Sequence, residues 1–285
     1  VKRMIYVGVT GWGDQNSLYT SGISPRDKLK EYGAHFPVVE VDASFYAIQP
    51  KQNVEKWVKD TPEGFQFVVK AYQGMTGHQR GEIPFESKEE MFLAFKESII
   101  PYQDAGKLSM VLFQFPPWFE CKKENVDYLR WCKIKMGDTK VALEFRNQTW
   151  FQPEYYGRTL DFMEKEGWIH SICDEPQAGT GSIPTVLHAT TNENTLVRLH
   201  GRNVHGWTKS VPGKDWREVR YLYDYNHSEL LEWKANLETL TLQSKDIIVL
   251  FNNNSGGHAA GNAKQLIELL NIEYTGLAPK QLDLF

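Results

Sequence analysis

Eight short runs of β-branched, aromatic and other apolar residues recur along this chain, and seven of them are followed by a longer stretch with helical spacing. The runs fall at residues 5–9, 38–42, 66–70, 109–113, 140–145, 169–173, 195–200 and 246–251. Helical patterns fall at 24–36, 51–60, 87–105, 122–136, 152–167, 227–241 and 256–270, and only the sixth connection, 175–194, lacks one. A helix between two strands returns the chain to the edge it left, so the strands pair in parallel. Eight such units within 285 residues close most simply into a single-domain (β/α)8 TIM barrel over residues 1–275. The competing arrangement is an open doubly wound sheet. It is disfavoured because Gly8-Val9-Thr10-Gly11-Trp12-Gly13 does not have the glycine spacing of a dinucleotide turn.

Composition narrows the function classes. A hydrophobic content of 41% with 13% aromatic residues supplies a packed core, and no apolar run reaches the roughly 18 residues a membrane span needs. Formal charge is −4 and the basic residues are dispersed, which excludes a strong nonspecific nucleic-acid binder. Cys121, Cys132 and Cys173 form no metal-type pair, an odd count that suits a reducing compartment. A soluble cytoplasmic protein with no signal peptide is expected.

Polar residues crowd the strand ends, where a barrel places its active site. In strict alternation Glu40, Asp42 and Ser44 share one face of the second strand. Glu40, Glu144 and Asp174 come from three different strands and are candidate acids, bases or ligands, with His200 as a further catalytic candidate. With His200 or His258 they form an oxygen-rich set for a divalent cation, although no His-x-His, Glu-x-x-His or paired-Cys spacing supports one. Glu144 and Arg146 can instead simply pair with each other. Asn252-Asn253-Asn254-Ser255-Gly256-Gly257 leads from the eighth strand into a helix, so its free N–H groups predict an anion site, assisted by Arg198 and Arg202. The alternative is a tight turn with a helix cap. Arg146, Gln114, Trp12 and Tyr46 lie in the same loops and are candidates for substrate contact and base or sugar stacking.

Several segments carry a resemblance covering nearly the whole chain. They are Thr10-Gly11-Trp12, the run from Val39 to Tyr46, the run from Leu112 to Pro117, Ala142-Leu143-Glu144-Phe145-Arg146 followed by Trp150, Arg198-Leu199-His200-Gly201-Arg202, and Phe251-Asn252-Asn253-Asn254 with Gly257 and Ala259. Together they resemble the DUF72, or YecE-like, family of bacterial TIM-barrel proteins. The resemblance implies the fold and no reaction. Where this chain has Asp42, members of that family more often carry Asn, which changes the charge at that place.

The last residues, Gln281-Leu282-Asp283-Leu284-Phe285, resemble the peptide by which bacterial replication and repair proteins dock onto the sliding clamp. A five-residue match arises by chance roughly once in 10⁵ to 10⁶ windows, which makes it specific though short. Residues 276–280 read as a tether to this tail. Leu284 and Phe285 would each gain about 1.5–3 kcal/mol in an apolar pocket, against a few kcal/mol for ordering the tail. The other reading folds both side chains onto the barrel itself.

These residues suggest a hydrolase of a phosphate-bearing substrate, DNA or a nucleotide. Glu144 or Glu40 would be base toward water, Asp174 its partner, and Arg198, Arg202 and the 254–257 backbone would stabilise the anion. The alternatives are a noncatalytic clamp-associated adaptor and a sugar or sugar-phosphate enzyme.

Overall fold

The computed structural model describes residues 2–208 and 212–280. Eight parallel strands close on themselves in sequence order: β1 (Met4–Thr10), β2 (Val38–Val41), β3 (Gln66–Lys70), β4 (Leu108–Gln114), β5 (Val141–Glu144), β6 (Ile169–Asp174), β7 (Asn194–Leu199) and β8 (Asp246–Phe251). This is the (β/α)8 barrel expected from the alternation, and every strand falls on one of its eight runs. The helices are α1 (Lys28–Tyr32), α2 (Ala43–Tyr46), α3 (Lys51–Lys59), α4 (Lys88–Asp104), α5 (Lys123–Met136), α6 (Tyr156–Glu166), α7 (Val204–Thr208), α8 (Trp216–Arg220), α9 (His227–Leu240) and α10 (His258–Leu269). The first is shorter than residues 24–36 suggest, because Pro25 and the turn at 24–27 keep the early part of that stretch out of the helix. The sixth connection has no helix, as the sequence implies.

Strand alternation divides the side chains into two sets. Outward residues such as Val39, Phe67, Val111, Leu143, Val197 and Val249 join the large core beneath the helices. Inward residues Val38, Val68, Met110, Leu112, Ala142, Ile169, Leu196, Ile248 and Leu250 form a second apolar cluster, a plug inside the barrel, with Tyr6 packed against it. Higher on the same faces the residues turn polar: Glu40, Glu144 and Arg198, then Asp42, Lys70, Gln114, Arg146, His200 and Asn252. The sequence therefore builds a closed floor below a polar mouth.

The β1–β2 seam is the barrel's shortest junction together with β5–β6, two residue pairs each. Side-chain hydroxyls complete it. Tyr32 Oη donates to Val38 O (2.7 Å) and accepts from Val9 N (3.0 Å). Tyr274 Oη donates to Ile5 O (2.9 Å) and accepts from Val7 N (2.9 Å). Gly8 is required beside them, since a Cβ there would stand 2.1 Å from Val38 O.

The stretch 276–280, read from sequence as a tether, is anchored: Ala278 N donates to Gly33 O at 3.0 Å. The clamp-like peptide, Gln281 to Phe285, lies outside the described residues. Among the described residues no helix is long and apolar enough to cross a membrane.

Candidate functional site

The floor of the mouth is an ion cluster drawn from three strands. Arg198 donates through Nε and Nη2 to the two oxygens of Glu40 (2.8 and 3.0 Å), and through Nη1 to both oxygens of Glu144 (2.9 Å each). Ser171 Oγ donates to Glu144 Oε2 at 2.8 Å. All three charged groups are sealed from solvent, at 1% exposure or less.

His200 completes the cluster, and its tautomer follows from a chain of bonds that all run one way. Gln15 Nε2 donates to Asn254 Oδ1 (3.2 Å), Asn254 Nδ2 to Thr10 Oγ1 (2.8 Å), and Thr10 Oγ1 to Asn252 Oδ1 (2.7 Å). Asn252 Nδ2 then donates to His200 Nδ1 (2.8 Å), so the ring proton sits on Nε2 and points to Glu144 Oε1 at 3.2 Å. Burial pushes the His200 pKa down to about 3, in agreement with this neutral ring.

Two carboxylates that share one guanidinium have their pKa values driven apart. For Glu40, burial dominates over the attraction of Arg198, and with Asp42 adding repulsion and a hydrogen bond its pKa rises to about 8. For Glu144, burial also raises the pKa, but Arg198, His200 and Arg146 together outweigh it and hold the carboxyl well below its usual range. At neutral pH the cluster is thus one guanidinium, one carboxylate and one carboxylic acid, with no net charge.

Above this floor opens a cavity of about 670 Å³. Among the described residues its wall carries six cations, Lys70, Arg80, Arg146, Arg198, Arg217 and Arg220, and one carboxylate, Asp42. Arg198 is neutralised from below, so the excess belongs to the other five. Arg146 is buried, with Nε 3.6 Å from Glu144 Oε1 and making no hydrogen bond among the described residues. Its guanidinium lies 5.5 Å from the centre of the Trp207 ring, and Arg220 lies over the same ring at 3.7 Å, also with an unpartnered Nε. Glu175 stands near both: its Oε1 accepts from Ile183 N (2.6 Å), its Oε2 has no partner, and burial lifts its pKa to about 7 in spite of Arg146. Burial, then Lys70 and Arg146, lower the His78 pKa to about 3. Burial alone would raise the Tyr221 pKa, yet Arg146, Arg220 and Lys70 bring it below the ordinary value.

The structure brings together Glu40, Glu144, His200, Arg198, Arg146, Gln114, Asn252 and Tyr46, the first three beneath the cavity and the rest on its wall. It does not bring Asp174 there. Ser171 faces Glu144, so Asp174, three residues on, has the opposite parity and turns outward. It accepts from Arg202 Nε (2.9 and 3.1 Å) and Tyr225 Oη (2.8 Å), and Arg202 continues to Glu232 (3.3 Å) on α9. Arg202 and Asp174 are therefore a strut between barrel and helix. Asn253 donates to Tyr223 O and Asn262 Oδ1 at 2.8 Å each, while Gly257 caps α10 with a left-handed φ of 77°. Neither borders the cavity, and Trp12 packs edge-on against Trp57 at 5.1 Å. The eighth loop, where sequence placed an anion site, gives the cavity Asn252, while Arg217 and Arg220 come from the connection after β7 and Lys70, Arg80 and Arg146 from the ends of β3 and β5 and the loop after β3. Arg217, Arg220 and Tyr221 were missed; the legible signal is two arginines one helical turn apart between Trp216 and Tyr221.

The one cluster of possible metal ligands among the described residues does not suit a divalent cation. Glu144, Cys173 and His200 place ligand atoms within 4.8 Å of one another. Arg198 Nη1 already binds both Glu144 oxygens, and burial keeps the Cys173 thiol protonated by raising its pKa well above 9.0.

The fold and this mouth define a (β/α)8 barrel protein with a cationic cavity over a sealed, carboxylate-bearing floor. The family described as "Protein of unknown function DUF72" matches residues 6–283, and the chain belongs to it. It is 68% identical over 282 residues to the UPF0759 protein YunF of Bacillus subtilis (strain 168), covering 99% of this chain and 100% of that one. A DUF72 protein of Enterococcus faecalis V583 has a similar structure, with TM-score 0.91 and 39% identity over 98% of this chain and 100% of that one. A DUF72 protein of Thermotoga maritima MSB8 superposes with TM-score 0.80 at 28% identity, over 94% and 100% of the two chains.

Two expectations follow. Arg198→Met leaves two buried carboxyls without their cation and should cost about 3–5 kcal/mol, read as a lower urea midpoint. Sulfate keeps its charge from pH 6 to 8, so its affinity for the mouth reports protein groups alone. It should weaken roughly tenfold as Glu175 and then Glu40 ionise and cancel cationic charge. His78 stays neutral throughout. Glu175→Gln should remove the part of the slope centred near pH 7 and leave the part near 8, which isothermal titration would resolve.

Proposed function

We propose that this protein is a hydrolase acting on a phosphate-bearing substrate, DNA or a nucleotide, held in the barrel mouth. The observation that carries the reading is the cation excess of the cavity wall, where Lys70, Arg80, Arg146, Arg217 and Arg220 face one carboxylate, Asp42, among the described residues, with Glu144 and Glu175 set behind Arg146. Guanidiniums bordering a recess suit phosphate oxygens, both in the ground state and as charge spreads during transfer. Tyr46, Trp118 and Trp216, each about half exposed at the rim, provide faces for a base or sugar.

The sealed floor moves the catalytic roles away from the residues first expected. Glu40 and Glu144 are fully buried and committed to Arg198, and so cannot reach a substrate water. Asp42 is the carboxylate that meets the cavity. In this reading it takes the proton of the attacking water, while Glu40 beneath it holds a proton at neutral pH and so adds little opposing charge. Asp42→Asn should lower turnover by about 10²–10⁴-fold and leave sulfate binding unweakened. The measurement is phosphate or nucleotide release from nucleotides, DNA and sugar phosphates. Full activity in the variant would remove Asp42 from the mechanism. A noncatalytic ligand-binding role is the second reading, favoured by the locking of both floor carboxylates in ion pairs, and it requires saturable binding without turnover under any divalent metal.

We further propose that Gln281, Leu282, Leu284 and Phe285 dock the protein on a bacterial sliding clamp. Support comes from the five matching positions and from exposed Lys280, the last described residue before them. Binding should be micromolar, about −8 kcal/mol, and should vanish in the Leu284→Ala, Phe285→Ala double variant. Absence of binding by the intact chain would refute recruitment and leave the barrel's chemistry untouched.

A further inference from the structure

The cavity has a floor but no second exit through the barrel. Arg198 and Asn252 close its inner end, and beneath them lie the sealed ion cluster and the apolar plug of Val38, Leu112, Leu196 and Leu250. A ligand enters and leaves by the same side. That geometry limits which phosphate can reach the inner cations.

The inner cations are specialised. Arg146, with a side chain only 6% exposed, borders the cavity with its Nε 3.6 Å from Glu144 but without a hydrogen bond, Arg220 has an Nε without one among the described residues, and both guanidiniums lie against the Trp207 ring at 5.5 and 3.7 Å. Bringing like charges together costs free energy unless an anion lies between them. The nearby carboxyl, Glu175, spends one oxygen on Ile183 N and leaves the other unpartnered. Two guanidinium forks facing one recess match a group with several free oxygens and a double negative charge.

Resting on the reading of the mouth as a phosphate site, we infer that the inner recess takes a terminal phosphate monoester and excludes an internal phosphodiester. A monoester has three free oxygens, two charges and one substituent, which can leave toward the exposed side chains of Tyr46, Trp118 and Trp216. A diester has one charge, two free oxygens and two substituents that need two ways out. Nucleic acid would accordingly be engaged at a phosphorylated end, with the terminal base on the aromatic rim.

The test is isothermal titration of the intact chain with three ligands at one pH and ionic strength: phenyl phosphate, methyl phenyl phosphate and inorganic phosphate. Phenyl phosphate should bind about tenfold or more tightly than its methyl ester. Arg146→Gln and Arg220→Gln should each shrink that ratio toward one. Arg220, on a short surface helix, provides the variant least able to disturb folding, and circular dichroism of both checks that the barrel is intact. Equal affinity for the two esters, with phosphate still bound, would overturn the terminal-phosphate inference alone. Failure of all three ligands to bind would overturn the phosphate reading of the mouth as well.

Discussion

One buried guanidinium organises the upper half of this barrel. Arg198 reaches from β7 to β2 on one side and β5 on the other, its Nε and Nη2 forking onto Glu40 and its Nη1 shared between the two oxygens of Glu144, so its buried charge is met on both sides. A single carboxylate would balance its charge, so the second need not ionise, and Glu40 becomes the group that keeps its proton. The cluster also fixes register. A one-residue slip of β7 would turn Arg198 outward into the apolar layer beneath the helices and bring Val197 or Leu199 inward to face two buried carboxyls. The same ions that seal the floor thereby define where the mouth begins.

Sealing the acids has a consequence for everything above them. The chain carries a net charge of −4, yet the cavity is cationic, because Glu40 and Glu144 are used below the surface while Lys70, Arg80, Arg146, Arg217 and Arg220 are left on it. Net charge reports solubility and long-range steering, and the field inside a recess depends on which charges line it. The dispersed basic residues that argued against a nucleic-acid-binding surface are gathered here by the fold from β3, β5, the loop after β3 and α8.

How much of this the sequence shows depends on distance along the chain. The strands are legible because each is a run whose two faces are buried in parallel packing, and α9 is legible because Asn226 and Glu229 form a capping box. Parity within a strand is legible too: Glu40 with Asp42, Glu144 with Arg146, and Arg198 with His200 each lie two residues apart and share a face. Counting from Ser171 would have turned Asp174 outward, and treating the whole strand end as mouth hid that. Asn252 and Asn254 gave an anion-site signal of the right residue type, but their side chains are spent orienting His200 through Thr10. The β7–α9 connection resisted reading for a different reason. Helices of five residues have no periodicity to detect, and α7 and α8 are held by contacts such as Asn203 Nδ2 to Val219 O (3.0 Å) and Ser255 Oγ to Arg217 O (2.9 Å) that only tertiary structure supplies.

The site thus has two halves of different origin. Lys70, Gln114, Arg146, Arg198 and Asn252 stand on or next to strand ends and inherit the rigidity of the barrel, whereas Arg217, Arg220 and Tyr221 arrive on one long excursion. The excursion is fastened through Asn203 to Val219 O and through Ser255 to Arg217 O, and the Arg217 guanidinium lies 5.4 Å from the centre of the ring of Tyr46, the last residue of α2. Because Tyr46 and Arg217 are both exposed, the contact is held by one cation–aromatic pair worth about 0.5–1 kcal/mol, far weaker than the buried forks on Arg198. Helix α8 itself is held more firmly, by Ser255 on Arg217 O, Asn203 on Val219 O and Arg220 over the Trp207 ring at 3.7 Å, so the weak link is confined to the rim. The mouth thus joins a base set on the strands to an edge carried on the connections, the usual division of labour between scaffold and loop.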